Sequence, residues 1–188
     1  MLQLNFTPFP KLQSERLAFR KLTNDDAPEI LKLRGDKKTM KFIPRPILTN
    51  LEEALAHIKM INDKIDENVA INWAVTEKGY NKCIGIIGFY RTQPEHYRTE
   101  LGYMILPEHW GKGYVTEAVT TLLDFAFNTL NFHSIEAVID ARHLASEKVL
   151  QKNGFRKEAH FVEDFFYNNE FTDTVKYGIL KREFNKVK

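Results

Sequence analysis

The sequence predicts an α/β (α+β) fold in which helices cover the faces of a mixed, mostly antiparallel sheet. Alternating or β-branched runs predict strands, and apolar residues at three- and four-residue intervals predict helices. The predicted order is β-α-α-β-β-β-α-β-α-β-β, which amounts to about seven strands and about four helices. The 188 residues favour a single domain over 1–188, because roughly 100–200 residues form one domain.

The first half of the chain predicts one strand and then two helices. Residues 16–21 alternate apolar and polar side chains, which indicates a strand. Polar residues followed by Pro28 favour a helix start, and Gly35 ends that helix. Thr49 is the predicted cap of the second helix, and Glu52 stands three residues later as in a capping box.

The second half of the chain predicts mostly strands. The runs VAINWAV, CIGIIGFY and TELGYMIL are separated by short polar turns, which predicts an antiparallel meander. A helix is predicted over VTEAVTTLLDFAFNTL, a strand over SIEAVID, and a helix over SEKVLQKNGF that stops at Asn153-Gly154. Two strands follow, and the final KREFNKVK is interpreted as a solvated tail.

Composition argues against several kinds of partner and site. The chain has 27 basic and 25 acidic residues, a balance that argues against a nucleic-acid partner. The single cysteine, Cys83, excludes an internal disulfide, and no Cys/His spacing predicts a metal site. No signal peptide and no apolar run near the roughly 20 residues that span a bilayer are present, so we expect a cytoplasmic protein without a membrane partner.

The segment after the strand at 98–106 carries the clearest chemical signal. Gly111 and Gly113 precede a helix, and such glycines let backbone N–H groups point at an anion near the helix N-terminus. Lys112 adds charge, and an ordinary glycine-containing turn is the alternative. A Walker A loop is excluded because Lys112 lies between the glycines. A dinucleotide fingerprint fails because Glu117 or Thr116 holds the third glycine position.

Two motifs add a family resemblance to this reading. ELGYMILP (100–107) followed by WGKGYVTEA (110–118), and later ASEKVLQKNGF (145–155), resemble the GNAT acetyltransferases. More narrowly they resemble the RimJ/RimL-like branch, which acetylates ribosomal-protein N-termini. The resemblance extends over about 14–184 and implies the GNAT fold, whose sheet is splayed in the middle, here with a bulge near Gly102–Met104. It also implies acetyl-CoA as the co-substrate, without a metal.

The resemblance implies which residues bind the cofactor. The pantetheine arm is expected to bond to the strand backbone at Met104, Ile105 and Leu106. The pyrophosphate is expected on the loop residues Gly111, Lys112, Gly113, Tyr114, Val115 and Thr116. Val115 stands where Gly or Ala is usual. His143 stands where the family usually has Asn, three residues before Ser146, and its imidazole can also donate one hydrogen bond.

Acetylation of an amine requires a group that removes a proton and groups that stabilise charge. Glu100 matches a family position that can act as general base, and a surface carboxylate is the alternative. Ser146 can contact the cofactor or assist thiolate protonation, or it can simply cap its helix. The expected acceptor side comprises residues 35–48 with Trp73, Glu100, Phe165 and Tyr167, although ordinary core packing also explains the aromatic residues.

The expected function is direct acetyl transfer from acetyl-CoA to a primary amine, with a protein or peptide N-terminal α-amine as the first candidate acceptor. A small amine, such as a polyamine, amino sugar or drug, is the second candidate. A CoA-binding regulatory module that has lost catalysis is the third. A homodimer is compatible with the sequence, which does not identify the acceptor.

Overall fold

The structure, a computed structural model, describes residues 1–187 and side chains as far as Phe184. These residues form one mixed sheet of eight strands with five helices, so the predicted α/β fold is confirmed with one strand and one helix more. The strands are β1 (Leu12–Gln13), β2 (Leu17–Arg20), β3 (Ile71–Glu77), β4 (Cys83–Gln93), β5 (Arg98–Ile105), β6 (Ser134–Asp140), β7 (Arg156–Tyr167) and β8 (Glu170–Leu180). The helices are α1 (Ala27–Gly35), α2 (Leu51–Asp66), α3 (Tyr114–Asn128), α4 (Leu144–Lys152) and α5 (Lys181–Val187).

The sheet is divided in its middle by a short parallel contact. The strand order is β1-β2-β3-β4-β5-β6-β8-β7, and only β5 and β6 pair in parallel among the described strands. Their ladder joins Arg98–Glu100 to Ser134–Glu136 and then stops. Within the described residues, Leu101 and Ala137 begin segments with no strand partner across this boundary. The expected splay of the sheet is therefore present, and it begins directly after Glu100.

The expected position of the bulge is wrong. The register of β4 against β5 is continuous along Glu100–Ile105, so no bulge interrupts Gly102–Met104. The irregularity lies in β4 between Tyr90 and Gln93, where Arg91 has a φ of 44°. A bulge bends its strand and redirects side chains, and this one lies beside the last residues of β5 that still pair with β6.

Helices cover both faces of the sheet. Helix α2 buries a stripe of isoleucines, Ile58, Ile61 and Ile65, as its periodicity predicts. Its cap is Asn50 rather than the predicted Thr49, because the Asn50 side chain accepts the Glu53 N–H at 2.9 Å. None of the helices within residues 1–187 is long and apolar enough to cross a membrane.

The C-terminal segment is a helix rather than the expected solvated tail. Helix α5 begins at Lys181, directly after β8, and Glu183 accepts the Leu180 N–H at 2.8 Å. Phe184 is buried, and its ring lies 5.4 Å from that of Phe127, measured between centroids. The buried Phe184 therefore attaches α5 to the core, although the other residues of this helix are mostly charged or polar.

A shielded ion pair joins β2 to the start of α1. Both terminal nitrogens of Arg20 bond to the Asp26 carboxylate, at 2.7 and 2.6 Å, and Asp26 also accepts the Thr23 N–H at 2.9 Å. The Asp26 side chain is only 4% exposed and that of Arg20 is 18% exposed. Because both charges are largely withdrawn from water, each depends on the other for compensation.

Replacing one partner of this pair should destabilise the fold strongly. We expect Asp26→Ala to lower the free energy of unfolding by about 3–5 kcal/mol, because it leaves Arg20 shielded and unpaired. Urea denaturation measures the change. Asp63→Ala is the matched control, since Asp63 pairs with Lys59 on the exposed surface of α2 and should lose less than about 1 kcal/mol. Equal losses in the two variants would contradict the structural role of the Arg20–Asp26 pair.

Candidate active site

The division of the sheet opens into a cavity of about 820 Å³. Its walls include Glu100–Met104 of β5, Ala137–Ile139 of β6, and Ser146 of α4. The opposite side is formed by α1, α2 and the segment between them, which contributes Phe42. Three residues of the segment 35–48 line this space, namely Phe42, Ile43 and Arg45, which supports the expectation for this segment.

Glu100 lies at the point where the two central strands separate. It is the last β5 residue paired with β6, and its side chain is 15% exposed at the cavity wall. Its Oε2 accepts a hydrogen bond from Nη1 of Arg91 at 2.6 Å. The β4 irregularity thus places the Arg91 guanidinium beside the carboxylate, and Glu100 still lines the cavity.

A tyrosine and a serine share a hydrogen bond on the α4 side of the split. The hydroxyls of Tyr103 and Ser146 lie 2.7 Å apart, and either oxygen can be the donor. Burial raises the pKa of Tyr103 to about 12, although the bond to Ser146 acts in the opposite direction. The phenol therefore stays protonated at neutral pH. From the sequence, Tyr103 can reach the acetyl pocket or simply pack in the sheet, and packing is the favoured expectation. The fold brings α4 to β5 and pairs the Tyr103 hydroxyl with that of Ser146.

His143 lies at the N-terminal end of α4, at the cavity wall. Its ring stacks on Phe42, with centroids 4.7 Å apart and planes 25° apart. Burial lowers the pKa of His143, and the nearby Asp140 only partly opposes this. The imidazole is consequently neutral at neutral pH, with one nitrogen able to donate and the other able to accept.

The glycine loop precedes α3 with the backbone geometry that its glycines allow. Gly111 and Gly113 have φ values of 73° and 78°, a region that favours glycine. A Cβ at Gly111 would meet nothing within 4 Å, so the loop faces open space there. Val115, which stands where the family usually has Gly or Ala, packs partly against the hydrophobic core. The Thr116 carbonyl is used within α3, where it accepts the Thr120 hydroxyl at 3.1 Å.

An arginine that the sequence analysis missed lies against this loop. Glu117 accepts hydrogen bonds from the Arg16 backbone N–H at 2.8 Å and from Arg16 Nε at 2.7 Å. The same guanidinium donates to the Lys112 carbonyl at 3.0 Å and lies 4.7 Å from the centre of the Tyr114 ring. Glu117 therefore anchors the β1–β2 turn and positions a second positive charge beside Lys112.

The exposed edge of β5 is shifted by one residue from the expectation. Leu106 donates its N–H to Ile84 at 2.9 Å and accepts from His109, so its backbone groups are already used. A Cβ at Gly85 would lie 2.4 Å from the Met104 carbonyl oxygen, which shows that this carbonyl points at β4. Because antiparallel strands alternate in this respect, the groups of Tyr103 and Ile105 face the split. The Met104 side chain still lines the cavity.

The three aromatic residues expected on the acceptor side are not among those that line the cavity. Trp73 is fully buried, donates its indole N–H to the Pro10 carbonyl at 2.7 Å, and packs edge-on against Phe125 of α3. Alternation along β3 turns its neighbour, Asn72, to the cavity instead. Phe165 and Tyr167 belong to β7 in the β7–β8 hairpin and are not among the residues that line the cavity. Trp73 therefore belongs to the core, and a substrate contact of Phe165 and Tyr167 stays a prediction.

No group of three or more His, Cys, Asp or Glu side chains within residues 1–187 is arranged to hold a metal ion. The cysteine lies in β4, where burial raises the pKa of the Cys83 thiol to about 12 and keeps it protonated. The titratable groups that meet in the cavity are instead a carboxylate, two phenols, two imidazoles and several basic side chains.

Comparison with known proteins agrees with this geometry. The family model of the acetyltransferase (GNAT) domain matches residues 16–156. The uncharacterized N-acetyltransferase YoaA of Bacillus subtilis is 30% identical over 173 residues, which are 92% of this chain and 98% of that protein. A GNAT-family acetyltransferase from Bacillus anthracis has a similar crystal structure, with a TM-score of 0.82, 29% identity, and coverage of 93% of this chain and 100% of that one.

A further solved structure carries ligands. The spermidine N-acetyltransferase from Vibrio cholerae, in complex with CoA and spermine, superposes with a TM-score of 0.80 and 25% identity, covering 90% of this chain and 98% of that one. GNAT acetyltransferases use acetyl-CoA, and the split sheet and glycine loop described above are the features that the family motifs imply. The chain belongs to the GNAT acetyltransferase family and is an N-acetyltransferase.

Proposed function

We propose that this enzyme transfers the acetyl group of acetyl-CoA directly to a primary amine, without a covalent enzyme intermediate. The observation that carries the proposal is the end of the β5–β6 ladder at Glu100, which places a carboxylate at the mouth of an unpaired strand edge. The first candidate acceptor is a protein or peptide N-terminal α-amine, as in the RimJ/RimL-like branch that the motifs resemble. A small amine is the second candidate, supported by the relative that binds spermine.

The residues present fit the shape and charge of acetyl-CoA. The pyrophosphate fits the loop at Gly111 and Gly113, where backbone N–H groups and the N-terminus of α3 favour an anion. Arg16 and Lys112 add positive charge at the same loop. The pantetheine amides can use the backbone groups of Tyr103 and the N–H of Ile105, as an added strand would, since the Ile105 carbonyl already accepts the Trp110 indole N–H. Acetyl-CoA supplies an activated thioester carbonyl as the acetyl donor.

Glu100 is the proposed general base. An ammonium group must lose a proton before its nitrogen can attack a carbonyl, and a carboxylate at the cavity wall can accept that proton directly or through a water molecule. Arg91 holds the Glu100 side chain from the solvent side, at 2.6 Å, and so acts as a positioning residue. The partly exposed site of Glu100 leaves a route by which the proton can return to solvent.

Tyr103 and Ser146 form the proposed proton-donating pair. Their shared hydrogen bond lies on the opposite face of β5 from Glu100, because residues three apart on a strand point to opposite faces. The phenol remains protonated over the assay range and can supply a proton to a leaving thiolate, with Ser146 holding its hydroxyl in place. His143 is the proposed hydrogen-bond donor to the pantetheine arm, where the family usually has Asn.

Two measurements test the proposed function. Acetyl-CoA should raise the thermal unfolding temperature, because a ligand that binds only the folded state stabilises it. Thiol release with a panel of peptides and small amines should then show turnover with at least one class. Absence of stabilisation would overturn cofactor binding, and stabilisation without turnover of any amine would overturn acetyl transfer.

A methyl group at the glycine loop should weaken cofactor binding selectively. We expect Gly111→Ala to reduce the affinity for acetyl-CoA by at least about tenfold, since charge-assisted hydrogen bonds from the loop would be blocked or misdirected. Gly79→Ala is the matched control. Gly79 also has a positive φ, 87°, with nothing within 4 Å of its Cβ, but lies in the β3–β4 turn. Titration calorimetry measures both, and equal affinities would remove the loop from the site.

Removing the charge of Glu100 should slow the reaction. We expect Glu100→Gln to lower kcat/KM about 10²-fold, because proton removal from the ammonium then relies on solvent. The exposed Glu95 provides the control variant Glu95→Gln, which should retain the wild-type rate. Steady-state thiol release at several pH values measures the effect. A rate for Glu100→Gln that is unchanged across pH would show that Glu100 is not the base.

Loss of the Tyr103 hydroxyl should affect turnover rather than acceptor binding. We expect Tyr103→Phe to lower kcat about 10²-fold with little change in the acceptor KM, as for loss of a general acid. Tyr177→Phe is the matched control, since the Tyr177 hydroxyl donates to Glu147 at 2.5 Å and the residue is not among those that line the cavity. Equal kcat values for Tyr103→Phe and wild type would show that Tyr103 only packs in the sheet.

A further inference from the structure

The α1–α2 side of the cavity carries an excess of positive charge. Arg34 of α1, Arg45 of the α1–α2 segment and Lys64 of α2 all line it. Among the described residues that line the cavity, Glu100 is the sole carboxylate, and it is already bonded to Arg91. The wall that faces the acceptor is therefore basic, although the whole chain is close to electrical neutrality.

Arg34 is the most unusual of these cations, because it is half-buried without an anionic partner. Its Nε is shielded from solvent and has no hydrogen-bond partner among the described residues. Its Nη1 reaches only Met104 Sδ, at 3.7 Å, and a thioether is a weak acceptor. Burial lowers the pKa of Arg34, so the site disfavours the charge that this guanidinium retains. An unpaired, shielded guanidinium at a cavity wall is costly to the free protein and is compensated when an anion binds.

The neighbouring side chains do not supply that anion. Burial lowers the pKa of His57 to about 4, with the charges of Arg34 and Lys64 adding to the effect, so His57 is neutral at neutral pH. The charge of Arg45 also lowers the pKa of Arg34. Its effect is smaller than that of burial, which lowers this pKa too, and than that of Tyr90, which raises it. These groups form a cluster in which cations repel one another and no described carboxylate lies within ion-pair distance of Arg34.

Tyr90 connects this cluster to the proposed base. It pairs with Glu100 across the β4–β5 ladder and lines the cavity. Burial raises the pKa of Tyr90 to about 12, with the charge of Arg34 opposing that rise and the charge of Glu100 adding to it. One phenol therefore lies within electrostatic reach of both a free guanidinium and a carboxylate. Arg34 and Glu100 line the same cavity, so a molecule that occupies it can meet both charges.

We infer that the acceptor is an amine whose own molecule carries a carboxylate, with the ammonium directed to Glu100 and the carboxylate bound by Arg34. The inference rests on the proposed function and adds the chemical class of its acceptor. The carboxylate undergoes no change of bonding, and Arg34 acts only in binding it. A planar guanidinium matches a carboxylate through two parallel hydrogen bonds, which a lysine at this position would not reproduce.

The same charges disfavour a polyamine as acceptor. A polyamine places several ammonium groups in the cavity, and all but the one beside Glu100 would meet Arg34, Arg45 or Lys64. Like charges that approach in a partly desolvated site repel more strongly than in water. This chain therefore differs in expected specificity from the relative that binds spermine, although the two share a fold.

Matched acceptors test the inference on the wild-type enzyme. Thiol release is measured for free α-amino acids and their carboxamides, which keep the amine and lose the charge. Peptides with an acidic or a neutral residue next to the N-terminus form a second arm, and spermidine forms a third. We expect kcat/KM to be about 10–100-fold higher for a carboxylate-bearing acceptor than for its neutral partner. The arm with the larger ratio shows whether the carboxylate belongs to an amino acid or to a peptide.

Variants of Arg34 locate the effect. Arg34→Gln should remove the preference by raising KM for the acid, while turnover of the carboxamide stays close to wild type. Arg34→Lys should retain part of the preference for the carboxylate-bearing acceptor. Arg182→Gln, at an exposed position of α5, is the control and should leave the ratio unchanged. The wild-type ratio is informative even where an Arg34 variant fails to fold.

The outcomes separate the inference from the proposed function. Equal or faster acetylation of the carboxamides or of spermidine would overturn the carboxylate site and leave acetyl transfer intact. A wild-type preference that persists in folded Arg34→Gln would overturn the assignment to Arg34. Failure of acetyl-CoA to stabilise the protein, together with no turnover of any amine, would overturn the proposed function and the inference with it.

Discussion

The architecture depends on one interruption of backbone pairing, the end of the β5–β6 ladder after Glu100. Unpaired N–H and C=O groups are costly unless water, a ligand or a side chain satisfies them. Here β5 remains fixed by β4 on its other side, and β6 by β8, so the sheet holds together while its middle opens. Trp110 donates its indole N–H to the Ile105 carbonyl at 2.9 Å and closes the far end of the exposed edge. The cavity thus forms where β5 and β6 stop pairing, while β4 and β8 hold the two strands in place.

Charge is distributed so that local sites attract anions without a basic surface overall. The glycine loop uses backbone dipoles, and Glu117 holds Arg16 beside it at low cost because the carboxylate is itself hydrogen-bonded by Ser14 at 2.6 Å. Burial raises the pKa of Glu117, but the bonds from Ser14 and Arg16 outweigh that effect and hold it below its ordinary value. Across the cavity, Arg34 has no such partner. The Arg16 guanidinium is thus paired within the protein, whereas the Arg34 guanidinium is available to an anionic ligand.

The sequence predicted the fold and the glycine loop well, because both depend on local patterns. It was less able to assign side chains to faces. The expectation chose Trp73 where its neighbour Asn72 lines the cavity, and it shifted the exposed edge of β5 by one residue. Which residues face which side of a strand depends on the register, and only the pairing of β3, β4 and β5 sets that register. Arg34 gave no local signal, and for Tyr103 sheet packing was favoured over the acetyl pocket. An unpaired guanidinium or a hydroxyl pair is recognisable only after distant elements meet. The cap of α2 also moved by one residue, from Thr49 to Asn50.

Strand parity also explains how one strand can serve both halves of the proposed reaction. Glu100 and Tyr103 are three positions apart, so one side chain faces the α1–α2 side and the other faces α4. A proton accepted by Glu100 and a proton supplied by Tyr103 therefore belong to opposite faces of β5, and the gap between β5 and β6 is where the two faces communicate. An amine arriving from the Arg34 side and a thioester held along the exposed edge meet at that gap. The end of β5–β6 pairing thus creates the edge that binds the cofactor and also lies between the proposed base, Glu100, and the proposed acid, Tyr103.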